Sequence, residues 1–157
     1  MIVYHGSYME IKYPDTEHSR ETVDFGRGFY VTPIYDQAKK WAEKFKRRGR
    51  DAVISKYNFD ENALDNEKVL KFDAYSEEWL DFIVNCRSAK DQTDYAIVMG
   101  GVANDKVFNT IELFFDGLID KREAIKRLQY EKPNMQICLR KQSVIDKYIE
   151  FEGSEAL

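Results

Sequence analysis

Two short segments near the start of the chain combine residues capable of chemistry with tight demands on the backbone. Residues 4–7 read Tyr-His-Gly-Ser at the end of a predicted strand, and residues 24–32 form a glycine-spaced turn leading into a strand with Tyr30. The imidazole of His5 can donate or accept a hydrogen bond, Gly6 lets a ligand approach its main chain, and Tyr30 offers an aromatic face. The two segments together indicate a ligand site.

Either segment alone is also typical of ordinary structure. A histidine beside a glycine at a strand end is most often structural, and Gly-x-Gly before a strand is common in turns. It is the occurrence of both segments, in this order, that favours a site.

The ordered pair resembles the diphtheria-toxin and poly(ADP-ribose) polymerase branch of the ADP-ribosyltransferase superfamily, and more closely an uncharacterised bacterial family of the same fold. In that branch a His-Gly-Ser/Thr ends the first strand, and a Gly-x-Gly-hydrophobic-Tyr begins the next block. The resemblance implies an NAD-dependent mono-ADP-ribosyltransferase that uses NAD as substrate and no metal. It further implies a fold of split mixed and antiparallel sheets.

The same resemblance implies a role for each residue of the two segments. His5 would bond a ribose hydroxyl on the adenosine side, and the Gly6 main chain would hold the nicotinamide amide. Ser7 would add a hydroxyl contact to the carboxamide, and Tyr30 would stack on the nicotinamide ring. Gly28, in the same turn, would also lie against NAD.

Two further residues are assigned to NAD binding. Trp41 falls where the polymerases place a second aromatic, on the predicted inner face of the helix that follows, although core packing would also explain it. Arg20 or Arg27 could meet the pyrophosphate through two parallel hydrogen bonds, and Arg20 is favoured because Arg27 sits between glycines in a turn.

Gln136 departs from the superfamily pattern, which places a catalytic Glu at the start of a late strand. A carboxylate stabilises a cation and accepts a proton, whereas an amide does the first weakly and the second hardly at all. The predicted triad is therefore His5, Tyr30 and Gln136. Transfer of one ADP-ribose, NAD hydrolysis, and NAD binding without activity all stay open.

These residues lead to two hypotheses. The first is a mono-ADP-ribosyltransferase, a bacterial toxin or effector that modifies a protein or nucleic acid and is restrained by an antitoxin or immunity protein. The second is a degenerate module that binds NAD, ADP-ribose or a protein partner without transfer. A basic run, from Lys44 to Arg50, could contact an anionic acceptor, although such runs are usually solvated helix ends.

Composition limits the class of protein. With 157 residues, 43% hydrophobic and 33% charged, the chain is expected to form a single domain over residues 1–157. The net charge of −4 argues against general binding to a phosphate backbone. No apolar run approaches membrane-spanning length and no signal peptide is recognised, so a cytoplasmic protein without membrane contact is expected. Cys86 and Cys138 are expected to be buried free thiols.

The elements that must position the candidate site alternate irregularly between strand and helix, which favours an α+β fold over a doubly wound sheet. Strands are predicted at 2–5, 28–32, 52–59, 69–72, 95–99, 135–139 and 148–151. Helices are predicted from Thr32-Pro33 to Gly49, from Ser76 to Cys86, over 107–115, from Asp120 to Leu128, and over 143–147.

Overall fold

The computed structural model of the protein describes residues 1–20, 23–103, 105–130 and 134–157, and within them the strands form two sheets. The first sheet is antiparallel throughout. Its three strands, in spatial order, are β1 (Ile2–Ser7), β3 (Val53–Phe59) and β7 (Ile149–Ala156).

The second sheet is mixed, because only its last pair of strands runs parallel. Its four strands, in spatial order, are β2 (Phe29–Val31), β6 (Gln136–Leu139), β5 (Ile97–Gly100) and β4 (Val69–Lys71). The predicted α+β class with mixed and antiparallel sheets is therefore confirmed.

Helices flank both sheets. The structure describes α1 (Tyr35–Arg47), α2 (Ala63–Asn66), α3 (Glu77–Arg87), α4 (Asp105–Phe115), α5 (Lys121–Leu128) and α6 (Gln142–Tyr148). Helix α1 covers one face of the first sheet, where Ala38 and Ala42 pack with Ala52 and Ile54.

The two faces of β2 belong to different parts of the core. Phe29 and Val31 pack with residues of the first sheet, including Val3 and Tyr57. Tyr30, which points the other way, packs against the cluster that contains α3. Strand β2 therefore contributes side chains to two hydrophobic clusters, one on each of its faces.

The start of α1 differs from the prediction. Thr32 and Pro33 were expected to begin the helix, but it begins at Tyr35, and its N-cap residue Ile34 makes no side-chain cap. The Thr32 hydroxyl instead donates to the main-chain oxygen of Met135 (2.7 Å) and accepts from the Ile34 amide (3.1 Å). Thr32 therefore links the end of β2 to the start of β6, and α1 begins three residues later, at Tyr35.

Candidate functional site

The two sheets meet at one point and then separate, and the candidate site lies where they separate. Tyr4 and Thr32 exchange both of their main-chain hydrogen bonds, at 2.8 and 2.9 Å, and form an isolated antiparallel bridge between β1 and β2. On the other edge of β1, Met1, which directly precedes the strand, exchanges both main-chain hydrogen bonds with Phe59 of β3. Because successive residues of a strand point their main-chain groups to opposite sides, those of Gly6 point towards β2, as those of Tyr4 do.

The ladder between β1 and β2 does not continue beyond the bridge. The next pair in an unbroken antiparallel ladder would be Gly6 and Tyr30, but no main-chain hydrogen bond joins these two described residues. The oxygen of Tyr30 accepts a hydrogen bond from Nδ1 of His5 instead (2.7 Å). The N–H and C=O of the buried Gly6 consequently face the gap between the sheets, as does the N–H of Tyr30.

The hydrogen bond to Tyr30 fixes the tautomer of His5. A carbonyl oxygen only accepts hydrogen bonds, so Nδ1 carries the proton. Burial lowers the pKa of His5 below its ordinary value, and the ring stacks on Phe29 with centroids 4.6 Å apart. The neutral ring therefore keeps the lone pair of Nε2 as an acceptor for a ligand hydroxyl.

The ring of Tyr30 is held at both ends. Its hydroxyl donates to the Gly26 oxygen (2.5 Å) and accepts from the Phe25 amide (3.0 Å), both in the glycine-spaced turn. Burial raises the pKa of Tyr30 well above its ordinary value. The Tyr30 hydroxyl therefore stabilises the turn, and these two hydrogen bonds fix the position of the ring beside the gap.

A cavity of about 540 Å³ adjoins these groups. Its volume falls within the range of roughly 300–1,000 Å³ typical of small-molecule sites. The predicted site residues His5, Ser7, Gly28 and Tyr30 all line it, whereas the predicted Gly6, which is buried, is not among its lining residues. The remaining wall is the segment that follows β1, and it comprises residues 8–13, Asp15, His18 and Ser19, with Phe29 from β2.

The segment after β1 is tied to the first sheet. The Ile11 amide donates to Ser55 (3.0 Å), and the Tyr57 hydroxyl donates to the Ile11 oxygen (2.5 Å). Farther along the segment, the Asp15 carboxylate accepts a hydrogen bond from His18 (2.8 Å), which raises the pKa of His18. The sequence predicts only a loop over residues 8–23, because this segment is polar and carries Pro14.

The two glycines of the site are required by packing. A Cβ on Gly6 would lie 2.3 Å from the Ala38 oxygen of α1, and a Cβ on Gly28 would lie 2.5 Å from Sγ of Cys138. Both distances are shorter than any real contact of a methyl group. Because Gly6 has no side chain, α1 can pack directly against β1 at this position. The main chain of Gly6 faces the gap.

Trp41 and Arg20 are both exposed. Trp41 is 48% exposed, whereas the buried residues of α1 are Ala38 and Ala42, so its assignment to the inner face was wrong. Arg20 is exposed. Neither residue is among those that line the cavity.

Gln136 is buried at the first position of β6 and also does not line the cavity. Its Nε2 lies 3.5 Å from the Gly101 oxygen. On β6 it shares the face of Cys138, which is the partner of Tyr30 in the ladder, so its side chain lies on the same side of the second sheet as the Tyr30 ring.

Gln37 is a polar residue near the site that sequence reasoning missed. Its Nε2 donates to the Met135 oxygen (2.9 Å), which also accepts from Thr32, and its Oε1 is buried without a hydrogen-bond partner among the described residues. Gln37 thus links α1 to the residue before Gln136. Only the fold shows that the neighbouring residue Ala38 packs against Gly6, which places Gln37 near the site.

Asp24 also has a role that the sequence did not reveal. Its carboxylate accepts two hydrogen bonds from Arg87 at the end of α3, from Nε at 3.0 Å and from Nη2 at 2.7 Å. Arg87 also contacts Glu112 of α4 (3.2 Å). The glycine-spaced turn is therefore anchored through Arg87 to α3 and α4.

The described residues include no group of three or more His, Cys, Asp or Glu side chains that could hold a metal ion. Within the same part of the chain, none of the helices has the length and apolar character needed to cross a membrane. Cys86 and Cys138 are buried and free, as predicted, and burial raises the pKa of each thiol to about 12.

Comparison with known proteins identifies one family. The family described as Protein of unknown function (DUF3990) matches residues 1–151, and the chain therefore belongs to it. Neither a curated protein nor a solved structure was found to match the chain.

Proposed function

We propose that this member of the DUF3990 family binds NAD where its two sheets separate and transfers ADP-ribose from NAD to a macromolecule. The proposal depends on one observation above all. Among the described residues Gly6 and Tyr30 form no main-chain hydrogen bond with each other, and the Tyr30 oxygen accepts from His5, so the N–H and C=O of Gly6 face the gap.

The main chain of Gly6 carries one donor and one acceptor, which are complementary to a carboxamide. A primary carboxamide carries one acceptor and two donors, so its oxygen can accept from the Gly6 N–H while its N–H donates to the Gly6 oxygen. The fixed ring of Tyr30 lies beside this pair and offers its face to a flat heteroaromatic ring. This is the recognition expected for nicotinamide.

His5 supplies the contact to a sugar. Its Nε2 is an acceptor in the tautomer fixed by Tyr30, and a ribose hydroxyl is a matching donor. The cavity beyond His5 and Ser7 gives room for the rest of the dinucleotide. Among its lining residues, Lys12 provides positive charge for the pyrophosphate in place of the predicted Arg20, since His18 is paired with Asp15.

The proposed reaction breaks the bond between C1′ of the ribose and the nicotinamide nitrogen. The bonding electron pair leaves with nicotinamide, and positive charge develops on the ribose. A nucleophile of the acceptor then donates an electron pair to C1′ and loses a proton to water. The protein contributes by holding the nicotinamide flat, excluding water and orienting the ribose.

A second candidate function is binding of NAD or ADP-ribose without transfer. The observation that favours it is Gln136, a buried amide with its Nε2 towards Gly101, where a transferase of the resembling family would carry a carboxylate. A neutral amide stabilises the cationic ribose only weakly.

The test is to incubate the protein with NAD, follow nicotinamide release by chromatography, and measure NAD affinity by calorimetry. Binding with release that falls at least tenfold in Gln136→Ala supports the transferase. Binding without release, with turnover appearing in Gln136→Glu, supports the second candidate. Absence of both binding and release overturns both.

A further inference from the structure

Helix α1 carries aromatic and basic side chains that continue to the edge of the cavity. The Trp41 ring has Nζ of Lys44 4.6 Å from its centroid. One turn further on, the ring of Phe45 lies 5.6 Å from that of Tyr8. The guanidinium carbon of Arg50 lies 4.0 Å from the centroid of Tyr8, which itself lines the cavity. We call Tyr8, Trp41, Lys44, Phe45, Arg48 and Arg50 the α1 strip.

The strip is strongly basic in an acidic protein. Residues 39–50 contain seven Lys or Arg and one Glu, whereas the whole chain has a net charge of −4. All seven cationic residues are exposed. Among the described residues, neither Lys44 nor Arg48 forms an ion pair, so both are free to contact an external anion.

Two aromatic residues of the strip are exposed to solvent. Trp41 is 48% exposed and Tyr8 is 39% exposed. A large ring left in water forgoes burial that would stabilise the fold, so its presence next to free cations indicates a ligand with both planar groups and negative charge.

We propose that the α1 strip binds single-stranded nucleic acid and that such a strand is the acceptor for ADP-ribose; the second part rests on the proposed function. Single strands expose bases that stack on aromatic side chains and phosphates that pair with Lys and Arg. A duplex hides its bases, and an acidic peptide offers charge without planar groups. The strip therefore fits a single strand better than either.

Tyr8 connects the two parts of the proposal. It belongs to the strip and also to the wall of the cavity, directly after Ser7. A strand that lies along α1 with a base over Tyr8 brings one nucleotide to the cavity, where a nucleophilic nitrogen or oxygen of that nucleotide reaches C1′ of the ribose. The new bond forms there, nicotinamide leaves with its electron pair, and the acceptor proton passes to water.

The test of binding uses the full chain without NAD. Fluorescently labelled 12-nucleotide RNA and DNA strands, the corresponding duplex and a polyglutamate peptide are titrated at several salt concentrations, with anisotropy as the readout. The variant Lys44→Gln/Arg48→Gln is compared with Arg122→Gln/Lys126→Gln, which removes the same charge from exposed positions of α5. Trp41→Ala is compared with Trp41→Tyr, which keeps an aromatic ring.

The expected result is preferential binding of the single strands. The slope of log affinity against log salt falls by about 1.4 in Lys44→Gln/Arg48→Gln, since each phosphate contact on a single strand contributes about 0.7, and it is unchanged in the α5 control. Trp41→Ala weakens binding by roughly tenfold, and Trp41→Tyr largely restores it. Circular dichroism checks that each variant is folded.

Three results would overturn strand binding: no binding of either strand, equally tight binding of the duplex or polyglutamate, or an equal loss in the α5 control. Adding radiolabelled NAD then tests transfer. Label on the strand supports the acceptor assignment, and nicotinamide release without label on the strand overturns it. If no nicotinamide is released while the strand binds, the proposed function fails and strand binding stands.

Discussion

Nδ1 of His5 donates a hydrogen bond to the main-chain oxygen of Tyr30 over 2.7 Å, at the point where the two sheets separate. The bridge between Tyr4 and Thr32 brings β1 and β2 into register for a longer ladder. The ladder stops after this one pair: the Tyr30 oxygen accepts from the imidazole, and among the described residues no main-chain hydrogen bond joins Gly6 to Tyr30. The main chain of Gly6 therefore lies at the edge that the proposed ligand uses.

Replacing His5 by Ala should weaken NAD binding by at least tenfold. The change removes the hydrogen bond to Tyr30, the acceptor Nε2 and the stack on Phe29. It should also lower the free energy of unfolding by about 1–3 kcal/mol, because the buried carbonyl loses its partner. Calorimetry and urea unfolding measure the two effects.

The variant His5→Gln separates these effects, because its amide can still donate to the Tyr30 oxygen. Stability close to that of the unmodified protein combined with weak NAD binding assigns the imidazole to the ligand. Unchanged NAD affinity in both variants would contradict a contact between His5 and NAD.

Stability should depend on pH through His5. Burial lowers its pKa below the ordinary value of 6.5, so below that pH the unfolded chain binds more protons than the folded protein. The stabilisation by neutral His5 is therefore complete above about pH 6.5 and is lost as the pH falls towards the lower, folded-state pKa. Unfolding midpoints between pH 5 and 8 measure this.

The chain has one other histidine, and it acts in the opposite direction. Asp15 raises the pKa of His18, so any stabilisation from that pair is present at low pH and is lost as the pH rises through the raised value. In His18→Gln the dependence on pH between 5 and 7 should therefore steepen. In His5→Gln the stability should no longer fall on acidification through the range assigned to His5.

Local signals were sufficient to predict much of the secondary structure. Ser76 caps α3 by accepting from the Trp79 amide (3.2 Å), and Asp120 caps α5 by accepting from the Glu123 amide (2.8 Å). Both caps depend on residues three apart in the chain, so the sequence shows them directly. The short α2 was missed because four residues carry no periodicity.

Features that depend on distant contacts could not be predicted. The pattern that placed Trp41 on the inner face of α1 is apolar at the right spacing, but Gly6 admits only the small residues Ala38 and Ala42 there. Likewise, the pairing of Asp24 with Arg87 joins residues 63 positions apart. The predicted residues His5, Ser7, Gly28 and Tyr30 line one cavity, whereas Gly6, Arg20, Trp41 and Gln136 are not among its lining residues.

Gly6→Ala should destabilise the fold by about 1–3 kcal/mol, the usual cost of an inserted methyl group in a packed region. Its Cβ would lie 2.3 Å from the Ala38 oxygen and 2.9 Å from the Ala42 nitrogen, so α1 must move away from β1. Thermal unfolding measures the loss, and calorimetry should show weaker NAD binding because the Gly6 main chain moves with the helix.

The matched control is Gly49→Ala at the end of α1, where no atom lies within 4 Å of the added Cβ. That substitution is strained only by its φ of +76° and should leave NAD affinity unchanged. An equal effect of the two substitutions on NAD affinity would contradict a specific role for Gly6.

Tyr30→Phe should separate the hydroxyl from the ring. Loss of the hydroxyl leaves the Phe25 amide and the Gly26 oxygen without this partner, which should cost about 1–3 kcal/mol of folding stability. The ring remains, so NAD affinity should fall by less than threefold. Tyr30→Ala should reduce both affinity and nicotinamide release, and affinity equal to that of Tyr30→Phe would contradict stacking on the ring.

Asp24→Asn should destabilise the protein although Asp24 does not line the cavity. Arg87 and Asp24 are only 16% and 17% exposed, so removing the carboxylate leaves a guanidinium that is largely shielded from water, with an ion pair to Glu112 and the ring of Phe108 beside it. The expected loss is about 2–3 kcal/mol, towards the low end for a broken buried pair. Glu123→Gln, which breaks the half-exposed pair with Arg127, should cost less than about 0.5 kcal/mol. Urea unfolding measures both changes, and equal losses would show that the turn with Asp24 is not anchored through Arg87.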